Sequence, residues 1–181
     1  MTNKAPTNSS IKFITKMEKE KDAKHLPNRE THNCFGCSPA NPSGLQMKFY
    51  TRDSSVFSRL SVPEHLCGWD RLVHGGVIST ILDEIMSWTG IYMLKQITMT
   101  KSMTVDFIKP VYIDSELQAE GKVIEKTGRH EALIEGNLYN KKGTLCARSR
   151  ATFVIFSPAV AKRLGIAQKE HLEWFQEIYD I

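Results

Sequence analysis

The chain has 181 residues, the length of one domain with short extensions, and its 41% hydrophobic residues suffice for a core. Its 24 basic and 20 acidic residues give a formal charge of +4, without the block of like charge that marks a nucleic-acid-binding arm. No run of about 18 apolar residues is present, so we expect no membrane-spanning helix. The composition therefore predicts neither a nucleic-acid nor a membrane partner, and the small positive excess favours an anionic small molecule.

Residues 1–31 are predicted to form a polar N-terminal arm that is partly disordered, with a short helix around 11–24. This segment mixes Lys with Glu and Asp and lacks the apolar centre of a secretory signal. Four cysteines are scattered through a chain too large to need disulfide bonds, so we expect reduced thiols and a cytoplasmic protein. They are Cys34, Cys37, Cys67 and Cys146.

The first half of the chain predicts a loop, two strands and a long helix. Gly, Pro, Ser and Asn dominate residues 34–45, which is typical of a loop. Strand-like runs follow at 46–51 and 56–62, and residues 63–73 show no clear period. Apolar residues then recur at helical spacing and predict a helix from Gly75 to about Thr89. They are Val77, Ile78, Ile81, Leu82, Ile85 and Met86.

The second half predicts an antiparallel meander. Four strand-like segments, at 99–108, 116–125, 132–139 and 145–156, are separated by turn-forming residues. An amphipathic helix is predicted at 168–179. One helix followed by a meander that wraps it predicts an α+β domain over residues 32–157, with residues 158–181 as a C-terminal helical extension.

The start of the long helix, His74-Gly75-Gly76, has features suited to catalysis. Glycines permit close approach to the backbone, and the N–H groups of a first helical turn have no intrahelical partner. Such donors, at the positive end of the helix dipole, suit a carbonyl oxygen that becomes negative during reaction. Taken alone, the glycine pair is equally typical of an ordinary helix entry.

Asp83 is unusual because helix interiors disfavour aspartate and this helix is apolar over most of its surface. Ser79, Thr80 and Ser87 lie three or four positions away, so the carboxylate is on a stripe of small residues that a ligand can approach. The alternative is a solvated face on which Asp83 and Glu84 are both exposed. The helical turn directs Glu84 away from the Asp83 stripe.

His-Gly-Gly with an acidic residue nine positions after the histidine resembles the hotdog-fold thioesterases of the PaaI-like and acyl-CoA thioesterase families. The similarity covers roughly residues 34–156. Four further segments carry it: Cys34-Phe-Gly-Cys37 followed by Gly44-Leu45, then Gly68-Trp69, residues 100–110, and Gly128-Arg129. Where some relatives have an asparagine six positions before the histidine, this chain has Gly68.

The resemblance implies a hotdog fold, an antiparallel sheet around one long central helix, that works as a homodimer or a dimer of dimers. Asp83 would act as general base or nucleophile, and the Gly75 N–H would bind the thioester oxygen. His74 would hold the loop and the glycine in place. Thr100 would donate a hydrogen bond to the carboxylate or to the attacking water.

Substrate contacts are expected from Gly76 and, toward the phosphates of coenzyme A, from Arg129 and Lys101. Coenzyme A is part of the substrate, and no separate cofactor is expected. In a regular strand Thr100 lies on the polar side, opposite Met99. It reaches the site only if that side faces the dimer seam or if a bulge intervenes.

Cys34 and Cys37 have the C-x-x-C spacing of a zinc knuckle or a redox pair. A zinc site of the ordinary kind needs a second ligand pair, and Cys67, His32 and His65 do not form one. The sequence therefore predicts a structural loop and no metal.

The expected activity is hydrolysis of an acyl-CoA thioester, with an acyl-carrier-protein thioester as the less favoured substrate. A first alternative is a hotdog dehydratase or hydratase, which needs a catalytic histidine beside the carboxylate. Only His74 is near, at a place that suits a structural role. A second alternative is a non-catalytic acyl-CoA-binding protein, which has no need for Asp83 in an apolar helix.

Overall fold

The computed structural model describes residues 23–179, and a 20-residue helix packed on one face of a seven-stranded sheet forms its centre. The strands are β1 (Lys24–His25), β2 (Phe49–Arg52), β3 (Ser55–Leu60), β4 (Cys67–Trp69), β5 (Leu72–Val73), β6 (Ile97–Phe107), β7 (Leu117–Thr127), β8 (Glu131–Asn140) and β9 (Leu145–Phe156). The helices are α1 (Gly75–Leu94), α2 (Pro158–Arg163) and α3 (Lys169–Tyr179), and a 3₁₀ turn spans Glu64–Leu66.

The large sheet is antiparallel throughout, in the order β1-β2-β3-β7-β8-β9-β6, while β4 and β5 pair separately. Strands β6 to β9 are the long ones, and β6 lies at an edge. Short turns join β7 to β8 and β8 to β9, as adjacent antiparallel strands allow. The predicted α+β architecture, a meander wrapped around one long helix, is confirmed.

Helix α1 lies unusually close to the sheet. Its inward residues Ile81, Leu82, Ile85 and Met86 are fully buried. Glycines in the facing strands permit the close approach, since a Cβ atom at Gly121 would lie 2.8 Å from the Ile85 carbonyl oxygen. The helix continues past the predicted end at Thr89 and stops at Leu94, before Lys95 in the left-handed conformation. No helix within residues 23–179 is long and apolar enough to cross a membrane.

The sheet begins earlier than the sequence suggests. Lys24 and His25 pair with β2, and Leu26 is buried in the core, so residues 24–31 pack on the domain that was expected to start at residue 32. A strand of two residues is too short to show alternation of apolar and polar side chains, so no pattern in the sequence predicts it. Most of the predicted helix around 11–24 falls outside the described residues.

The C-terminal helix α3 packs against the same side of the domain as the N-terminal segment. Phe175 and Ile178, on one side of the predicted amphipathic helix, are buried. The Trp174 ring meets the Trp88 ring edge-on at 5.4 Å between centroids, and its Nε1–H donates to the Pro27 carbonyl oxygen at 2.9 Å. The C-terminal extension is therefore attached to the helix–sheet core.

We expect Gly121→Ala to destabilise the protein by about 1–3 kcal/mol, because the new methyl group overpacks the helix–sheet contact. It would lie 2.1 Å from the Thr89 hydroxyl oxygen, which itself donates to the Ile85 carbonyl. Urea unfolding measures the change. The control is Lys126→Ala, at an exposed position of the same strand, which should stay within about 0.5 kcal/mol of wild type. Equal stability of the Gly121 variant would contradict the close packing described here.

Candidate active site

Asp83 extends from the middle of α1 toward β6, where the Thr100 hydroxyl donates to Asp83 Oδ1 at 2.6 Å. A hydroxyl bond to a carboxylate at this distance is short and strong, so it fixes the orientation of the carboxyl group. Asp83 is partly exposed and Thr100 is exposed. Thr100 therefore orients the Asp83 carboxylate, and the exposure of both residues allows a ligand to reach it.

A bulge in β6 brings Thr100 to this position. Thr100 pairs with Phe153 and Ser102 with Thr152 on β9, so Lys101 is an extra residue in the ladder. Before the bulge the even-numbered residues face α1, as the 3.1 Å contact between the Thr98 and Ser87 hydroxyls shows. After it, odd-numbered residues pack on the core instead. Of the two routes that the sequence left open for Thr100, the structure contains the bulge.

His74 caps the start of α1. Its Nδ1 accepts the Gly76 N–H at 2.9 Å, so in the neutral ring the proton is on Nε2. The His74 backbone N–H donates to the Leu66 carbonyl oxygen at 3.2 Å and ties the helix start to the preceding loop. Gly75 is the first helical residue, and its N–H has no intrahelical acceptor. The His74 side chain thus accepts the Gly76 N–H, and the Gly75 N–H stays available as a donor to a ligand.

The surroundings of Gly75 are partly apolar. A Cβ atom at Gly75 would lie 3.6 Å from the ring of Phe107, a side chain that is 57% exposed. On the other side, Gly68 packs directly on His74, where a Cβ atom would lie 2.8 Å from the His74 Cα. No side chain fits at Gly68 without movement of the cap, so an asparagine at this place is incompatible with the loop as it stands.

Gly75 and Asp83 are separated along one helix. They are eight positions apart, which corresponds to about 12 Å at about 1.5 Å per residue. A reacting carbonyl requires donor and carboxylate within about 3–3.5 Å of its atoms. The structure therefore brings Asp83 to Thr100 and His74 to the glycines, but it does not bring these two pairs together within one chain.

The three residues predicted to contact the substrate, Gly76, Lys101 and Arg129, differ in whether another group of the protein already occupies them. The Gly76 N–H is occupied by His74, although Gly76 is exposed. Lys101, the bulged residue, forms an ion pair with Glu131 at 2.5 Å. Arg129 is exposed in the β7–β8 turn. Thr100 on β6 pairs with Phe153 on β9, which in turn pairs with Ala132 on β8. Two strand spacings place Ala132 about 10 Å from Thr100, so the β7–β8 turn just before Ala132 lies on the same side of the sheet as Thr100.

Glu84 meets the loop that contains the C-x-x-C pair, which the sequence did not reveal. The Cys34 thiol is 3.2 Å from Glu84 Oε1, and the two sulfur atoms and a carboxylate oxygen all lie within 4.8 Å of one another. Burial raises the pKa of Glu84 to about 8. The hydrogen bond between the thiols lowers the pKa of Cys34 and raises that of Cys37. Within residues 23–179 this is the one cluster of metal-ligating side chains found.

Comparison with known proteins finds one family similarity, in the part of the chain that contains α1 and most of the meander. Residues 71–147, from the loop before α1 into β9, match the model of the thioesterase superfamily. Over these residues the chain is similar to the thioesterase superfamily. Among curated proteins, none matches the sequence.

Solved thioesterases share the fold of this domain. The thioesterase-superfamily protein RHA08564 has a TM-score of 0.65 at 18% identity, over 83% of this chain and 81% of its own. A hypothetical thioesterase from Streptococcus pneumoniae TIGR4, solved with coenzyme A, gives 0.55 at 20% over 59% and 82%. The Escherichia coli PaaI protein, from the phenylacetic acid degradation operon, gives 0.56 at 16% over 61% and 83%. The S. pneumoniae protein was also solved with an aspartate, and separately with a threonine, replaced by alanine.

We expect His74→Ala to destabilise the protein by about 1 kcal/mol, because the first turn of α1 loses its side-chain acceptor. His74→Asn should retain most of the stability, since asparagine is a good N-cap. Urea unfolding measures both, with His130→Ala at an exposed turn position as the control. A variant with asparagine that is as unstable as the alanine variant would show that His74 does not act as a cap.

Proposed function

We propose that this protein hydrolyses acyl-CoA thioesters to the free acid and coenzyme A, with Asp83 as general base or nucleophile. The observation that carries the proposal is the bond between Thr100 and Asp83. An aspartate inside an apolar helix lowers the stability of the protein, and a catalytic role explains why this residue is present. Here a bulged strand supplies the hydroxyl group that orients its carboxylate. The similarity of residues 71–147 to the thioesterase superfamily and the fold shared with solved thioesterases support the same chemistry.

The proposed reaction needs a carboxylate and one oxyanion donor. As general base, Asp83 takes a proton from water, and the hydroxide adds to the thioester carbon. The oxygen of the tetrahedral intermediate is stabilised by the Gly75 N–H at the positive end of α1. The C–S bond then breaks, and the thiol leaves as a stable thiolate. As nucleophile, Asp83 would instead attack the carbon itself and expel the thiolate, and water would then cleave the resulting mixed anhydride to the free acid and regenerate the Asp83 carboxylate.

Coenzyme A is the proposed carrier of the acyl group. Relatives have been solved with coenzyme A and with acetyl-CoA. The exposed Arg129 lies at the Thr100 end of the sheet, and the chain has a net charge of +4. Arg129 is the better candidate for a phosphate contact, because Lys101 is paired with Glu131. The four cysteines are free thiols, which agrees with the proposed cytoplasmic location.

The proposed active unit is a homodimer, alone or paired as a dimer of dimers. Strand β6 lies at an edge of the sheet and is 11 residues long. It also carries the exposed side chains of Met99 and Phe107, with Ile108 just beyond. A long edge strand with exposed apolar residues is a ready surface for a second chain. A two-fold axis beside β6 would bring the start of one α1 helix toward the middle of the other.

A dehydratase or hydratase is less well supported. That chemistry needs a histidine that exchanges a proton with the substrate beside the carboxylate. His74 has its Nδ1 lone pair occupied by the Gly76 N–H, so it is suited to holding the helix start. A purely acyl-binding protein is also less well supported, because binding does not require the oriented carboxylate of Asp83.

We expect Asp83→Asn to lower turnover of an acyl-CoA by about two orders of magnitude or more, the scale of a lost general base. Asparagine is nearly isosteric, so the fold should be retained. A thiol-release assay over a panel of acyl-CoA substrates measures the effect. Asp53→Asn, at an exposed turn position between β2 and β3 and away from β6, is the control and should retain activity. Turnover near the wild-type rate in the Asp83 variant would remove the proposed role.

We also expect two inactive variants to complement each other when they are refolded together. Gly75→Pro removes the oxyanion donor where proline is tolerated, since the preceding His74 has φ −59° and ψ 137°. Asp83→Asn removes the base. At equal ratio about half of the dimers are mixed, and each has one intact site, so about a quarter of wild-type activity should return. The reason is that each site uses Gly75 of one chain and Asp83 of its partner.

The control for this experiment is Gly75→Ala, which keeps the N–H and places its methyl group 3.6 Å from Phe107, an ordinary contact distance. Gly75→Ala should remain active. Inactivity of Gly75→Pro is then due to the missing N–H group and not to the replacement of glycine. Differently tagged chains establish that mixed dimers form. Mixed dimers without restored activity would rule out the shared site.

A further inference from the structure

The Cys34 cluster consists of Cys34, Cys37 and Glu84, and it lies on a different side of α1 from the bond between Asp83 and Thr100. Adjacent helical residues project about 100° apart, so Glu84 faces the loop at residues 34–37 while Asp83 faces β6. The two sulfur atoms and a carboxylate oxygen lie within 4.8 Å of one another. The proposed hydrolytic reaction uses none of these groups.

The loop holds the cluster in place by main-chain contacts. The Ser38 N–H donates to the Cys34 carbonyl at 3.3 Å and closes the turn. Leu45 and Met47 donate to the carbonyls of Phe35 and Gly36 at 2.9 and 3.0 Å. These hydrogen bonds join the turn at residues 34–37 to residues 45–47, which lead into β2.

Gly36 brings the turn directly onto Glu84. A Cβ atom at Gly36 would lie 2.2 Å from Glu84 Cγ, closer than any side chain allows. The two sulfur atoms and the carboxyl group thus come together without a side chain between them.

The charges in the cluster are not balanced by a basic residue. Within the described residues, no lysine or arginine forms an ion pair with Glu84, although burial of a carboxylate is unfavourable without a cation or a proton. A divalent cation would offset that cost and would replace the protons on the carboxyl and thiol groups, which would pass to solvent.

We propose that Cys34, Cys37 and Glu84 bind a zinc ion. Two thiolates and one carboxylate are ligands that zinc accepts in tetrahedral sites, whereas magnesium and calcium prefer oxygen alone. A water molecule would complete the four ligands. The expectation that the chain holds no metal considered only cysteine and histidine as partners for the C-x-x-C pair. Glu84, fifty positions from Cys34, is the third ligand that the fold supplies.

Zinc at this place would fix residues 34–37 to the helical turn that also contains Asp83. Its role is to position that turn, and it would not touch the substrate. The proposal is independent of thioester hydrolysis, because the ligands lie apart from Asp83 and Thr100. The two can therefore be tested separately.

The test measures zinc in the full-length protein and in matched variants, purified with a reductant and with zinc in the medium. Elemental analysis should find about one zinc ion per chain in wild type. Cys34→Ser and Glu84→Gln should weaken binding by at least about tenfold, the smallest loss typical of disturbing even an outer partner of a metal. Cobalt(II), titrated into the protein after chelation, should give thiolate-to-cobalt charge-transfer absorption that Cys34→Ser abolishes.

Two controls separate the cluster from its neighbours. Cys67→Ser removes an exposed thiol elsewhere, and Asp83→Asn removes the adjacent carboxylate of α1. Both should bind zinc as wild type does, even though the Asp83 variant should not hydrolyse thioesters. Circular dichroism checks that each variant is folded. If Cys34→Ser does not fold, zinc binding by the isosteric Glu84→Gln variant tests the proposed site.

Three results would overturn the proposal. The first is wild-type protein that retains no zinc after incubation with it. The second is undiminished binding in Glu84→Gln. The third is a Cys34–Cys37 disulfide, found by mass spectrometry in protein kept under reductant, in place of the metal.

Discussion

The close contact between α1 and the sheet determines the geometry of everything else in this domain. Gly121 and Gly136 leave room for the helix backbone, so its rotation about its own axis is set by main-chain atoms as well as by apolar side chains. Packing at this distance tolerates little displacement. Once the rotation is fixed, Asp83 must face β6 and Glu84 must face the loop at residues 34–37. Two neighbouring carboxyl groups thereby acquire different surroundings.

Much of the fold could be predicted from apolar spacing. The periodic residues of α1, the long strands of the meander and the amphipathic α3 are all visible in the sequence, because burial on one face imposes a regular pattern. The elements that were missed lack such a pattern. Strand β1 has two residues, and the last turn of α1 is only partly buried. Local sequence is a weak guide to elements that are held mainly by tertiary contacts.

The candidate site could be predicted only in part, for a related reason. Asp83 and the helix start were recognised from their spacing and from the family resemblance, and the Thr100 contact needed a bulge whose position no pattern revealed. Glu84 is the clearest omission. An acidic residue in an apolar helix was visible, but its partner Cys34 lies fifty positions away, and only the fold shows that they meet. Pairings between distant loops and helices depend on the path of the whole chain.

The hydrogen bond from the Trp174 indole to the Pro27 carbonyl has a consequence for cooperativity. It joins a segment that precedes the family-matched residues to a segment that follows them, and the Trp174 ring also contacts Trp88 of α1. Detachment of either segment breaks this bond. We therefore expect the two segments to open together, as one foldon whose stability is coupled to that of the core.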